Sequence, residues 1–207
     1  MTDRLLCTDL EMAYKGRPIF SSVTFALGVG LHGLWGGNGT GKSTLLRGLS
    51  GVAKLQKGRV MIAGHDLARQ SVAAKSCLAY VPDEGAVYPF MTGRDLMALC
   101  AWARKAPDVS PDLIEGFGLT PHLDKRYDAL SLGTRRKMLI ASAFIGTPQL
   151  LLMDEPGNGL DAASRDYLMM LLAETAQSAC ILLSSHDSLF LEALGTRIIR
   201  METLGKD

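Results

Sequence analysis

Apolar residues follow three patterns along this chain, and each predicts a different element. Stretches 149–153 and 180–184, with Gly30–Trp35 before them, are nearly continuous apolar runs bounded by polar or glycine positions. That is the mark of a strand covered on both faces of a parallel sheet. Leu5–Tyr14 and 19–27 mix β-favouring and polar residues on either side of the turn-like Lys15-Gly16-Arg17-Pro18, which predicts a strand pair. Stretches 59–63 (ended by Gly64), 77–81 (ended by Pro82) and 197–201 are further strand candidates. The third pattern is helical. Residues 43–49 read as a helix stopped by Gly51. Thr92-Gly93-Arg94-Asp95 reads as a capping box opening a helix through Leu96, Leu99 and Trp102, and Ser110-Pro111-Asp112 as a second start signal. Ser131 or a neighbour opens a helix over 134–145, stopped by Gly146, and Asp161 caps one running through Ala176. The alternation predicts one α/β domain over 1–207, with a mainly parallel sheet, an N-terminal antiparallel β subdomain and an α-helical subdomain inserted at about 92–145.

Composition narrows the function classes. Lys plus Arg total 22 against 21 Asp plus Glu, so charge alone draws no nucleic acid to this chain. Cys7, Cys77, Cys100 and Cys180 are scattered with no C-x-x-C pair, which predicts buried thiols in a reducing compartment rather than a disulfide frame or zinc site. Met1-Thr2-Asp3-Arg4 does not open like a signal peptide. The longest apolar runs, such as Leu150-Leu151-Leu152-Met153, fall short of the roughly 20 residues a spanning helix needs.

The chemistry begins at Leu34-Trp35-Gly36-Gly37-Asn38-Gly39-Thr40-Gly41-Lys42-Ser43-Thr44, which fits G-x-x-x-x-G-K-[ST] in full. Glycines let such a loop wrap its backbone N–H groups around phosphate oxygens, and the helix that follows points its positive end at the same anion. Lys42 is placed to reach the β- and γ-phosphates and Ser43 to bind Mg²⁺. A second constellation closes the apolar run 150–153: Asp154 and Glu155 stand at the carboxyl edge, where α/β sheets bind ligands. Asp154 is suited to holding Mg²⁺ opposite Ser43, and Glu155 to orienting or deprotonating a water for attack on the γ-phosphate.

Four more segments stand in order around these two: Tyr14, Leu130-Ser131-Leu132-Gly133-Thr134, Gly157-Asn158-Gly159-Leu160-Asp161, and His186 after Leu182-Leu183-Ser184-Ser185. On residue type alone, Tyr14 is a core or rim aromatic, Ser131 an ordinary N-cap, and Arg135, Arg136 and Lys137 a solvated helix face. Together with the phosphate motifs, however, the set resembles the nucleotide-binding subunit of an ABC transporter over nearly the whole chain. The resemblance implies a P-loop NTPase core, ATP and Mg²⁺ as cofactors, and ATP hydrolysis. It makes Tyr14 the adenine-stacking aromatic, Ser131 and Gly133 the signature contacts, Asp161 part of the D-loop, and His186 the switch histidine at the γ-phosphate. It further implies two subunits packed head to tail, as a homodimer or heterodimer, each closing its Ser131 helix end over ATP held by the other's Lys42.

Two positions depart from that pattern. Asp83 stands where the family usually has glutamine, and still offers a carboxylate to Mg²⁺ through water. In the signature, Leu132 and Thr134 replace glycine and glutamine, while Ser131 and Gly133 remain. With no spanning run of its own, the chain is expected to work peripherally on the cytoplasmic face of a membrane, with a separate transmembrane permease subunit. That subunit would meet the stretch from Asp83 through Tyr88-Pro89-Phe90-Met91; core packing of Tyr88, Phe90 and Met91 is the equal alternative. Competing functions are a superfamily ATPase uncoupled from transport and a P-loop small-molecule kinase.

Overall fold

A computed structural model of the chain describes residues 3–14, 16–85, 87–106 and 109–204. Met1, Thr2 and Lys15, which entered the leader and turn readings, and Ala86 of the proposed contact stretch lie outside the described residues. Among the described residues, nine strands form two sheets. Strands β1 (Leu5–Tyr14), β2 (Arg17–Leu27), β4 (Lys57–Ile62) and β5 (His65–Asp66) make an antiparallel sheet in the order β2-β1-β4-β5. Strands β3 (Gly30–Trp35), β6 (Leu78–Val81), β7 (Leu150–Asp154), β8 (Cys180–Ser185) and β9 (Arg197–Arg200) make a parallel one in the order β6-β7-β8-β3-β9. Pro18 falls inside β2, which is possible because β2 is an edge strand and its missing N–H can face outward.

The pleat explains why β7 over 150–153 and β8 over 180–183 are apolar at every step. Leu150, Leu152, Cys180 and Leu182 enter one core with the antiparallel sheet and the first helix, α1 (Lys42–Leu49). Their alternates Leu151, Met153, Ile181 and Leu183 enter a second core on the other face. That second core packs helices α3 (Gly93–Ala103), α4 (Pro111–Gly116), α5 (Leu132–Ala143) and α6 (Ala162–Thr175), following the short α2 (Ser71–Ser76). Leu150, Leu151 and Met153 are fully buried; cutting any leucine among them to alanine costs about 2–5 kcal/mol. In sequence, α3, α4 and α5 all lie between β6 and β7.

The helix starts agree with the sequence signals. Thr92 and Asp95 form the reciprocal capping box of α3, Pro111 takes the first turn of α4, and Ser131 and Asp161 cap α5 and α6 through Thr134 and Ser164 N–H. α2, β5 and α7 (Ser188–Ala193) went unpredicted because they are two to six residues long, too short to show a period. Strands β1 and β4 approach closely where β4 begins. Gly58 has φ 93°, and a Cβ there would lie 2.4 Å from the carbonyl oxygen of Asp9, itself at φ 49° in a bulge of β1.

Candidate nucleotide-binding site

Strand alternation delivers the site residues. Asp154 continues the Leu150–Leu152 side of β7, so it faces α1, and its register partner Ser184 shares that face. Between β3 and α1 the chain turns through Gly39 at φ 78° and Gly41 at φ 99°, a region open to glycine. Thr40 Oγ1 closes the loop by donating to Gly37 O at 2.8 Å. Gly41 precedes α1 with no side-chain cap, so the first-turn N–H groups of α1 have no side-chain acceptor from their N-cap, the arrangement that receives an anion. The cavity at this point is about 330 Å³, lined by Ile19, Asn38, Gly39, Thr40, Gly41, Lys42, Ser43, Thr44, Asp83 and Glu155. Next to it, sharing Ile19 and Thr44, lies a cavity of about 570 Å³ bordered by Tyr14, Arg17 and Arg47. Tyr14 is 66% exposed at its rim, set as a surface rather than a core aromatic.

Three side chains converge on the loop. Lys42 Nζ donates to Gly36 O at 2.7 Å and Gly37 O at 3.2 Å, and stands 3.6 Å from Glu155 Oε1. The other oxygen of Glu155, Oε2, lies 3.0 Å from His186 Nδ1. A carboxylate only accepts, so Nδ1 carries the proton of that bond. Lys42 and Glu155 are buried, whereas His186 is half exposed. Glu155 holds φ 48°, a conformation that costs a non-glycine residue about 1–3 kcal/mol and persists only where surrounding contacts impose it. One such contact is Ser184, whose Oγ donates to Asp154 Oδ1 at 2.5 Å and accepts from Glu155 N–H at 3.0 Å.

The second contact is Arg136. Its Nη1 donates to Pro82 O (2.6 Å) and Asp83 O (2.7 Å), its Nη2 to Asp154 O (2.7 Å) and Glu155 O (2.9 Å). The side chain is 8% exposed, which overturns the reading of 135–137 as a solvated face. Lys137 is mostly covered as well, with Nζ 2.5 Å from Asp161 Oδ2. Arg135 reaches Asp128 O and lies over the Tyr127 ring. Burial lowers the Arg136 pKa from its ordinary value, with Asp83 and then Asp154 opposing it, and a guanidinium stays charged throughout. A signal was present: Arg136 stands four and seven residues before the buried Ile140 and Ala143, on the helix's inward stripe.

The donor set suits a hard divalent cation. Ser43, Asp154 and Asp83 offer only oxygens, the ligands Mg²⁺ takes. Among the described residues no cluster of three or more His, Cys, Asp or Glu side chains could hold a metal by itself. A cation here therefore needs further oxygens from water and from an anionic ligand. Asp83 is half exposed, and its carboxyl is raised by partial burial, against which Arg136 acts. On β6, the hydroxyl of Tyr80 is buried without a hydrogen-bond partner. Burial first, then the Asp154 charge, push it up to about 12, so it stays a donor.

Ser131 and Gly133 do not line either cavity. Ser131 is exposed, its Oγ accepting from Thr134 N–H at 3.2 Å, and the neighbouring Leu132 is 82% exposed. Gly133 lies against segment 157–161 of its own chain, where an added Cβ would meet Gly159 O at 3.4 Å. Asp161 caps α6, and the Lys137 contact, then Ser164, lowers its carboxyl to about 2. Tyr88 and Phe90 are each 65% exposed and stack on one another at 5.5 Å, while Met91 is half-buried against the second core.

The likenesses to known proteins agree with this geometry. A family model described as ABC transporter matches residues 21–158. The chain is 31% identical over 208 residues to the phospholipid-transporting ATPase ABCA7 of Homo sapiens, covering 96% of this chain but 10% of that protein. It is 29% identical to the linearmycin resistance ATP-binding protein LnrL of Bacillus subtilis (strain 168), covering 94% of this chain and 65% of that one. A solved structure of an ATP-binding subunit of an ABC transporter superposes with a TM-score of 0.86 at 29% identity, covering 93% of this chain and 83% of that one. A putative ABC transporter ATP-binding protein from Pyrococcus furiosus, at 22% identity and TM-score 0.78, shares the fold. By its matched family model, its relatives and its fold, the chain belongs to the ABC transporter family, in the class of its ATP-binding proteins.

Proposed function

We propose that this chain binds and hydrolyses Mg-ATP and thereby drives an ABC transporter. The observation that carries the reading is the convergence of Lys42, Glu155 and His186 on a glycine loop whose helix start lacks a side-chain cap. In this reading Asn38 to Thr44, with Gly36 and Gly37, cradle the phosphates, and Lys42 leaves its carbonyl partners to neutralise the β- and γ-oxygens. Ser43, Asp154 and Asp83 hold Mg²⁺, which when bound neutralises charge on the phosphate oxygens. Glu155 orients the attacking water, His186 holds Glu155 and reaches the γ-phosphate, and Tyr14 packs on adenine at the rim.

In this reading Ser131 and Gly133 serve a nucleotide held by another subunit, which their place outside both cavities supports. Two subunits then close head to tail, with the helical part at about 92–145 carrying the signature end and Asp161 lying at the interface. The same ABC domain meets a separate transmembrane subunit through Tyr88 and Phe90, whose exposure supports contact over core packing. Phosphate release is the direct test. Wild-type protein with Mg-ATP turns over without any added acceptor, and EDTA or Glu155→Gln stops it. Release that depends on a small-molecule acceptor would make the chain a kinase instead. Phe90→Asp is expected to keep ATPase activity and lose co-purification with the membrane partner; retained assembly removes that docking surface.

A further inference from the structure

We infer that Arg136 is a positioning residue that ties the aim of Glu155 to the seating of the Asp83 segment and of helix α5. The inference rests on Glu155 acting on the water, as read above, and adds what sets its geometry. One guanidinium spans two chain segments far apart in sequence, bonding the consecutive carbonyls of Pro82 and Asp83 with Nη1 and those of Asp154 and Glu155 with Nη2. No other side chain among the described residues is recorded as bonding both segments, and the Asp83 carboxylate adds a charge at 3.8 Å.

The planar fork matters. Its two amino nitrogens diverge at a fixed angle, so moving one carbonyl pair drags the guanidinium against the other, a constraint that a flexible ammonium lacks. The Glu155 carbonyl is one of the four acceptors, and Glu155 is the residue held at φ 48°. Its backbone conformation, and with it the direction of the carboxylate, is thus imposed partly from α5. Arg136 sits five residues, about 7.5 Å of helix rise, beyond the Ser131 cap. A displacement of the exposed α5 start moves a rigid helix that carries Arg136, and the two carbonyl pairs move with it. The buried Nε has no hydrogen-bond partner, so the guanidinium bonds through Nη1 and Nη2 alone. The tie therefore connects three places: the α5 end, the segment after β6, and the catalytic carboxylate at the end of β7.

Arg136→Lys keeps the charge and removes the fork; Arg136→Met removes both, and the lysine variant carries the test if the methionine variant does not fold. The expected result for Arg136→Lys is a fall in kcat of about tenfold or more with the dissociation constant for Mg-ATP within about threefold of wild type. Hydrogen exchange supplies a second readout. Without nucleotide, protection in peptides covering 78–85 and 150–157 drops together in the variant. Wild-type kcat, a proportional loss of kcat and affinity, or lost protection at only one of the two peptides would overturn the tie. A wild-type protein that binds no Mg-ATP would refute the nucleotide reading instead, and the paired exchange in its absence would still decide whether the tie exists.

Discussion

Two helix starts in this molecule face opposite demands. Helix α1 begins at Gly41 with no side-chain cap, and its first turn opens on a cavity walled by Lys42, Ser43, Asp83 and Glu155. Helix α5 begins at Ser131, whose hydroxyl already accepts from Thr134 N–H, and it lies at the surface beside the exposed Leu132. The first has the form that receives an anion. The second is capped, exposed and away from the cavity, with Leu132 82% exposed beside it. One polypeptide thus has an uncapped helix start that opens on a lined cavity and, elsewhere, a capped helix start that lines neither cavity.

That contrast can be broken in graded steps. The largest effect is expected at Glu155→Gln, which removes the water-orienting carboxylate and should lower kcat by about 10²–10⁴-fold while ATP still binds; steady-state phosphate release and nucleotide titration separate the two. Next, Lys42→Ala should weaken ATP binding by about tenfold or more in dilute protein, whereas Ser131→Ala should leave that affinity unchanged and reduce turnover only. Equal losses of affinity in both would erase the difference between the two helix starts.

Smaller effects test the supports. Ser184→Ala strips the fully buried Asp154 of its hydroxyl donor and should destabilise the fold by about 1–3 kcal/mol in chemical denaturation. Asp161 titrates below the ordinary carboxylate range because Lys137 and Ser164 favour its charged form. Its contribution is present above about pH 4 and is lost as pH falls through about 2, so the melting-temperature gap between wild type and Asp161→Asn should narrow across that window. Asparagine keeps the N-cap, which isolates the charge. The smallest shift is expected at Tyr80→Phe. Removing a buried hydroxyl without a partner should leave thermal stability equal or slightly higher, read from the melting temperature.

The same contrast explains what could be read from the sequence. The α1 side was legible because its chemistry is local: a glycine loop between an apolar strand and a helix, and two carboxylates ending an apolar run, each stand together in the chain. The parallel strands were legible because both faces of β7 and β8 are buried, so the run is apolar until Asp154 in β7 and Ser184 in β8. Arg136 was misread because its four acceptors are backbone carbonyls 18 to 54 residues away, and no residue type announces an acceptor carbonyl. Ser184 was read as part of a strand, since its two hydrogen bonds, donated to Asp154 and accepted from Glu155 N–H, depend on the register of β7 with β8. The strand at 59–63 shifts to Lys57–Ile62 because Ala63, at φ 48°, and Gly64, at φ 84°, make the turn into β5.

The molar mass of Glu155→Gln protein saturated with Mg-ATP, measured by light scattering after size exclusion, tests the central claim most directly. Two cradles closed by two Ser131 ends predict twice the 22.3 kDa of the chain, falling back to one copy when EDTA removes the metal. A single-chain mass with ATP demonstrably bound would mean that one copy encloses its own nucleotide, and would contradict the account.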